Sequence, residues 1–327
     1  MNSSDMLLEV MGLTTHLFTD AGIVRAVEDV SLKIGPGEAR ALVGESGCGK
    51  SMTAMSLMRL VRQPGKIIDG RIFLKGTEIR SLSESRMRQI RGGEIAMVFQ
   101  DPMTFLNPLM RVGDQIVEAI KIHQGVTGQR AWDLALEALN RVHIPAPEAV
   151  IRYYPHQLSG GMRQRVLIAV AICCKPYLLI ADEPTTALDV TIQAQIMNLL
   201  SDIRKELGSA ILLITHDFGL VAEYCDWIYV MYAGQIVEEG DVFQLFGSPK
   251  HPYTQCLLKS TLSVDHRSEI FESIEGQPPS LISPPDGCRF HPRCPMAFDR
   301  CAREMPEPFH LGDDRWARCW LYEGARS

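Results

Sequence analysis

This 327-residue sequence has no hydrophobic run long enough to cross a bilayer. Its longest uninterrupted apolar stretch, Val166 to Cys174, falls far short of the ~20 residues a helical span requires. Positive charge is not in surplus either. Against 39 Asp and Glu there are 33 Lys and Arg, a net charge of −6, so the electrostatic footprint of a nucleic-acid binder is missing and no nucleic-acid partner is expected. Met1 to Met6 has neither the basic nor the apolar region of a signal peptide, so the chain is expected on the cytoplasmic side, where it can still sit on a membrane partner. Internal repeats and low-complexity tracts are absent, which sets aside repeat architectures. What remains is a near-average composition with 46% apolar residues. It suits a globular protein of one large domain plus a smaller one, or of two modest domains.

The most specific signal is Gly44, Glu45, Ser46, Gly47, Cys48, Gly49, Lys50 and Ser51, which fill every position of G-x-x-x-x-G-K-[ST]. The octet follows an apolar run, Ala39 to Val43, that predicts a buried strand, and precedes Met52 to Leu60, which predicts a helix. In that setting the glycines let backbone N–H groups converge on an anion, and the helix N-terminus adds partial positive charge. Lys50 reaches the β- and γ-phosphates, and the Ser51 hydroxyl can ligate Mg²⁺. The expected ligand is a nucleoside triphosphate.

Short strands are expected at Leu7 to Val10 and Ile23 to Ile34, with a turn at Gly35, Pro36 and Gly37 and a hairpin strand between Gly70 and Gly76. Ile95 to Phe99, Tyr177 to Ala181 and Ala210 to Ile214 read as buried strands, and Pro102 to Tyr154 as helical. Strands alternating with helices imply an α/β fold whose mostly parallel sheet is covered on both faces. Ligands of such sheets lie at the carboxyl ends of the strands, and Gly44, Asp182 and Thr215 all follow strand ends. After Gly240 prolines crowd in, at 278, 279, 284 and 285, which marks a linker or an extended segment.

Two further constellations complement the phosphate loop. Asp182 ends a buried strand and can hold Mg²⁺, while Glu183 beside it is placed to orient or deprotonate an attacking water. Ser159, Gly160 and Gly161 open a long helical run and form a second anion site. Since the first loop already takes the triphosphate, the second makes sense if it closes on nucleotide held by a partner subunit. Together these segments closely resemble ABC transporter ATPase subunits, with Leu158 to Met162 as the signature motif. The resemblance implies a P-loop ABC-type fold with an antiparallel β subdomain and an α-helical subdomain. It makes Gln100 the Q-loop glutamine and a further Mg²⁺ contact, Ala187 to Asp189 the D-loop, and His216 the switch histidine. Phe18 is implied as the aromatic that stacks on adenine, at a position where family members vary.

The match extends to the peptide/nickel (oligopeptide and dipeptide permease) branch through Phe99 to Pro108, Pro155 to Met162, Asp182 to Val190 and His251 to Thr254. Phe105 departs from it, since relatives more often carry Ser there, in a segment facing the membrane subunits. The resemblance implies an importer ATPase on the cytoplasmic face of the inner membrane, with a nucleotide-binding domain over 5–260 and an extension over 261–327. Its partners would be two membrane-spanning permease subunits, an extracytoplasmic solute-binding protein and a second ATPase subunit, commonly a different one, with a homodimer as the alternative. Cargo is selected by those other subunits, so peptide, nickel, glutathione, opine and oligosaccharide all fit. ABC ATPases that act on ribosomes or DNA usually carry two cassettes or a coiled-coil insertion, and neither is visible here.

Of nine cysteines, Cys48, Cys173, Cys174, Cys225 and Cys256 read as small core residues. Cys288, Cys294, Cys301 and Cys319 cluster near the C-terminus, and in a cytosolic chain such a cluster points to metal. Their spacing is irregular for zinc, and four thiolates suit either zinc or an iron–sulfur cluster, with reduced structural thiols as the remaining alternative. Similarity of Arg289 to Pro295 to branch members with a 4Fe–4S cluster favours the cluster, as a staple for a tail with few apolar residues.

Overall fold

The computed structural model describes residues 6–186, 188–262, 274–312 and 314–324. Ala187 of the expected D-loop lies outside the described residues, as do Asp5 at the expected domain start and 263–273 in the expected extension. The chain divides into two units. One comprises Gly35–Glu38 and Ser81–Leu212 with the residues before Leu8, the other Leu8–Ile34, Ala39–Arg80 and Leu213 onward.

In the second unit, strand Leu8–Thr19 is the spine of an antiparallel sheet. It pairs with Gly22–Ile34, Leu8 facing Ile34 and Phe18 facing Ile23, and on its other side with Gly65–Leu74. Alternation explains the burial: Leu8 and Val10, like Val30, Leu32 and Ile34, turn inward while their neighbours stay at the surface. The strand that leads into the phosphate loop, Ala39–Val43, is parallel to Trp227–Tyr232, with Val43 opposite Val230. Its unbroken apolar character fits a strand covered on both faces. Trp227–Tyr232 turns through Ala233 and Gly234, both at positive φ, into Gln235–Asp241. That strand is followed by two short tail strands, Trp316–Ala317 and Phe309–His310, which continue the sheet in antiparallel fashion.

The first unit carries Ile95–Val98 parallel to Leu178–Asp182, with Val98 opposite Ala181. The expected helical stretch from Pro102 is broken into Pro102–Phe105, Val112–Gln124, Gly128–Arg141 and Pro147–Val150. Pro108 and the left-handed Gly125 at the C-cap of the second helix account for two of the breaks. Helices Gly160–Ile172 and Val190–Leu207 follow the two loops of interest. Among the described residues no helix is long and apolar enough to cross a membrane.

The tail is not held as the cysteine pattern suggested. Cys288, Cys294, Cys301 and Cys319 do line one pocket, but with Phe290, Met296 and Leu321 for company and a cavity of only about 10 Å³. That is room for roughly one water. Burial pushes the Cys288 thiol up to about 12 and the Cys319 thiol up to about 11. Among the described residues no group of three or more His, Cys, Asp or Glu side chains is placed to hold a metal ion, so neither the 4Fe–4S cluster nor the zinc alternative is supported. Cys288 and Cys294 instead pack against the core of this unit, in which Phe290 lies fully buried beside Tyr232 and Tyr253.

Ion pairs complete the attachment. The fully buried Glu238 accepts from Arg315 Nη2 at 2.7 Å and from the backbone N–H groups of Lys250 and His251 at 2.8 Å each. Arg289 donates to the Ala233 carbonyl and pairs with Glu28, and Arg318 pairs with Asp29 at 2.7 Å. The tail thus gains from core packing and charge the anchoring that its own few apolar residues cannot supply.

Candidate active site

The phosphate loop leaves strand Ala39–Val43 with Gly44, Gly47 and Gly49 at φ of 154°, 78° and 111°. A Cβ at Gly44 would come within 2.1 Å of the Met231 carbonyl, and one at Gly49 within 2.1 Å of the Ala26 carbonyl. Close backbone approach therefore requires glycine at both, whereas nothing crowds Gly47 and only its left-handed conformation does. Helix Lys50–Leu57 starts without a side-chain cap and without an acidic residue in its first turn, so its positive end is kept for an anion. Lys50, nearly buried, donates from Nζ to the carbonyls of Gly44 at 2.8 Å and Glu45 at 3.0 Å, which holds the ammonium over the loop. Ser46, Gly47 and Ser51 stay exposed, while Cys48 is buried and burial pushes its thiol up. This cradle fits a phosphate chain.

In the same unit Phe18 is 44% exposed near the end of its strand, with the Lys66 ammonium 5.8 Å from its ring centroid. His216 is exposed directly after strand Ala210–Thr215. Asp217 next to it donates its N–H to Thr215 Oγ1 at 3.0 Å and caps helix Phe218–Tyr224 through Gly219 and Leu220.

The other unit carries the acidic pair. Asp182 is buried at the end of its strand. Glu183 follows at φ 45°, a left-handed conformation that costs a non-glycine residue about 1–3 kcal/mol. Its Oε2 accepts from Gln100 Nε2 at 3.1 Å and from Thr186 Oγ1 at 2.8 Å, so Gln100 and Glu183 are brought together as a carboxylate–amide pair. Ser159 caps helix Gly160–Ile172 by accepting from the Met162 N–H at 3.3 Å, and Asp189 caps Val190–Leu207 by accepting from Ile192 at 2.9 Å. Gly160 is exposed with its nearest neighbour, Leu188, 3.8 Å from a built Cβ, while Gly161 is tighter, 3.0 Å from Ile192. Phe105, the departure from the branch pattern, stacks on Phe99 with ring centroids 3.7 Å apart.

Sequence reasoning missed four residues around these motifs: Thr186 beside Glu183, and Tyr232, Tyr253 and Arg293 beside Glu45. The Tyr253 hydroxyl accepts the Glu45 N–H at 2.9 Å, and Arg293 grips the Glu45 carboxylate and donates to the Tyr232 hydroxyl at 3.3 Å. Tyr253 lies in His251 to Thr254 and Arg293 in Arg289 to Pro295, both noted above only for family likeness, so the signal was present but read as a label.

Comparison with known proteins supports the same picture. The family described as ABC transporter matches residues 27–186, and that described as oligopeptide/dipeptide transporter, C-terminal region, matches 237–301. The dipeptide transport ATP-binding protein DppD of Escherichia coli (strain K12) is 47% identical over 313 residues, or 96% of each chain. The oligopeptide transport ATP-binding protein AppD of Bacillus subtilis (strain 168) is 47% identical over 318 residues, or 97% of each. Among solved structures, the dimeric post-hydrolysis state of the ATP-binding cassette MJ0796, bound to ADP and Pi, aligns with a TM-score of 0.65 at 28% identity, covering 72% of this chain and 98% of that one. These relatives are named as ATP-binding proteins, which agrees with the tail geometry in removing the iron–sulfur expectation. With a phosphate loop, an acidic pair and a signature helix in one chain, and near half identity over almost its full length, the protein belongs to the ABC transporter family, in its oligopeptide/dipeptide-type branch of ATP-binding subunits.

Proposed function

We propose that this chain is the ATP-hydrolysing subunit of an importer for peptides or a related small solute, bound peripherally to the cytoplasmic face of the inner membrane. The observation that carries the catalytic part is Glu183, held in a strained conformation with one carboxylate oxygen fixed by Gln100 and Thr186. A carboxylate so oriented can take a proton from water, a contribution of roughly 10²–10⁴-fold. The backbone N–H groups from Gly44 to Ser51 bind the phosphates and Lys50 carries the cation to them. By the family resemblance, Ser51, Gln100 and Asp182 would supply oxygen ligands that suit Mg²⁺, which when bound would offset phosphate charge. Phe18 offers a ring face to adenine, and His216 contacts the γ-phosphate.

Ser159, Gly160 and Gly161 act on nucleotide held by a second ATPase subunit, with Asp189 near the dimer contact. A triphosphate that touches both subunits only when they are closed favours that state, and this difference in affinity is what can drive transport. The segment from Gln100 to Asp114, with Phe105 exposed at its start, faces two permease subunits, and a solute-binding protein delivers cargo from outside. The nucleotide-binding domain spans 5–260 and the C-terminal extension 261–327. Reconstitution with cognate permease and binding-protein subunits in vesicles, with uptake of a labelled dipeptide followed, tests the proposal. ATP-dependent uptake abolished by Lys50→Ala is expected; uptake indifferent to that substitution would refute it.

A further inference from the structure

The segment that bears the tail cysteines also makes a contact that none of the nucleotide motifs contains. The Arg293 side chain is 6% exposed, and its two terminal nitrogens hold both oxygens of Glu45, Nη1 to Oε2 at 2.8 Å and Nη2 to Oε1 at 3.0 Å. This parallel two-bond grip is the strong form of an arginine–carboxylate pair. Arg293 is itself fixed, since Nε donates to the Glu275 carbonyl at 2.9 Å and Nη2 to that of Ile274 at 3.3 Å. Glu45 is the second residue of the phosphate loop, and its backbone is tied at both ends: the N–H to Tyr253 and the carbonyl to Lys50 Nζ. The carboxylate grip is the third tie on this one residue, and it lies in the same unit as the loop.

A carboxylate inside a loop that receives a polyanion is a liability, because an unpaired negative charge there repels the phosphates. It would also draw Lys50 away from them. We infer that Arg293 is a positioning residue for nucleotide binding: it neutralises Glu45 and fixes that residue's backbone, so that Lys50 and the loop N–H groups meet phosphate. The C-terminal segment thereby becomes part of the nucleotide site's support. The inference rests on the reading of Gly44 to Ser51 as the nucleotide site.

Titration of the full chain with a fluorescent ATP analogue, alongside ATPase kinetics, tests it. Arg293→Ala should weaken the analogue about tenfold and raise the ATP KM similarly, with kcat at saturating ATP within about twofold of wild type. Arg293→Lys should fall between, since an ammonium cannot span both carboxylate oxygens. Adding Glu45→Gln to Arg293→Ala should recover most of the loss, because the uncompensated charge is gone. Wild-type affinity in Arg293→Ala, with the tail merely cut faster by protease, would reduce the arginine to a staple and overturn the inference. A double variant as weak as Arg293→Ala alone would overturn it too. If Arg293→Ala does not fold, Arg293→Lys decides, and unchanged affinity in that variant refutes the role. Lys50→Ala in the same assay checks the underlying site: binding at wild-type strength there would take down the nucleotide reading, and the inference with it.

Discussion

Replacing Arg315 by leucine should loosen the C-terminal tail by several kcal/mol, and the structure says where that cost arises. Glu238 is fully buried, and among the described residues its carboxylate has three donors, of which only Arg315 is charged. Without Arg315 the two backbone N–H groups remain, but the negative charge has lost its counter-ion. At about 4 Å between charge centres and an effective dielectric near 20, the lost attraction is roughly 4 kcal/mol. Breaking a buried pair by removing one partner costs about 3–5 kcal/mol in comparable cases. Urea unfolding followed by fluorescence in a background with Trp132 and Trp227 replaced by Phe, so that Trp316 and Trp320 in the tail report, reads the effect. With a slope of roughly 1–3 kcal/mol per molar urea, the midpoint should drop by at least about 1 M. Adding Glu238→Gln should restore part of the loss, since no charge is stranded, although the amide oxygen can accept from only one of the two backbone N–H groups. A loss below about 1 kcal/mol in Arg315→Leu, or a double variant no better than the single one, would refute the claim that this pair anchors the tail.

Gly160→Asp should leave ATP binding to the isolated subunit nearly intact yet reduce hydrolysis in the assembled dimer at least tenfold by order of magnitude. The nearest atom to a built Cβ there is 3.8 Å away, so the fold accepts the side chain while its charge opposes the partner's nucleotide; equal loss of binding in the monomer would contradict this. A pH effect follows from Glu239, whose carboxyl is pushed up to about 7 chiefly by burial. The native state then holds a proton that the unfolded chain has released, so this group's contribution is full below pH 4.5 and declines as pH rises to about 7. The stability difference between wild type and Glu239→Gln should fall by about 3 kcal/mol across that window. Taking the difference cancels His251, which burial holds down to about 3 and which acts in the opposite sense below pH 6.5; a difference flat in pH would refute the assignment.

The nucleotide motifs were legible because each is a local backbone demand. Glycine at 44 and 49 answers a carbonyl 2.1 Å from where a Cβ would sit, and such requirements leave a mark in any single sequence. The buried strands before Gly44 and Asp182 were legible for a similar reason, as uninterrupted apolar runs. The hairpin of Trp227–Tyr232 and Gln235–Asp241 was not, although its first strand is strongly apolar. Its turn places Ala233 at φ 44°, where a glycine or asparagine would have announced the reversal. The tail strands, two residues each, are too short to carry a period. The cysteine cluster misled because cysteine is both a metal ligand and a small apolar residue, and spacing alone cannot separate the two. What separates them here is the company the thiols keep, with Phe290 in the core and charge pairs at Glu238 and Glu28 anchoring the segment. Arg293 escaped notice because its partner lies 248 residues earlier, a pairing that only the folded chain reveals.

The role of Glu183 is the point on which the catalytic reading turns, and one kinetic comparison reaches it. ATP hydrolysis by Glu183→Gln should be measured in the assembled dimer beside wild type, with bound nucleotide quantified in the same samples. Glutamine keeps the size of the side chain and can still pair with Gln100 and Thr186, but it cannot accept a proton from water. Turnover is expected to fall roughly 10²–10⁴-fold while ATP remains bound and the dimer stays closed. Turnover within a few-fold of wild type would show that Glu183 is not the base.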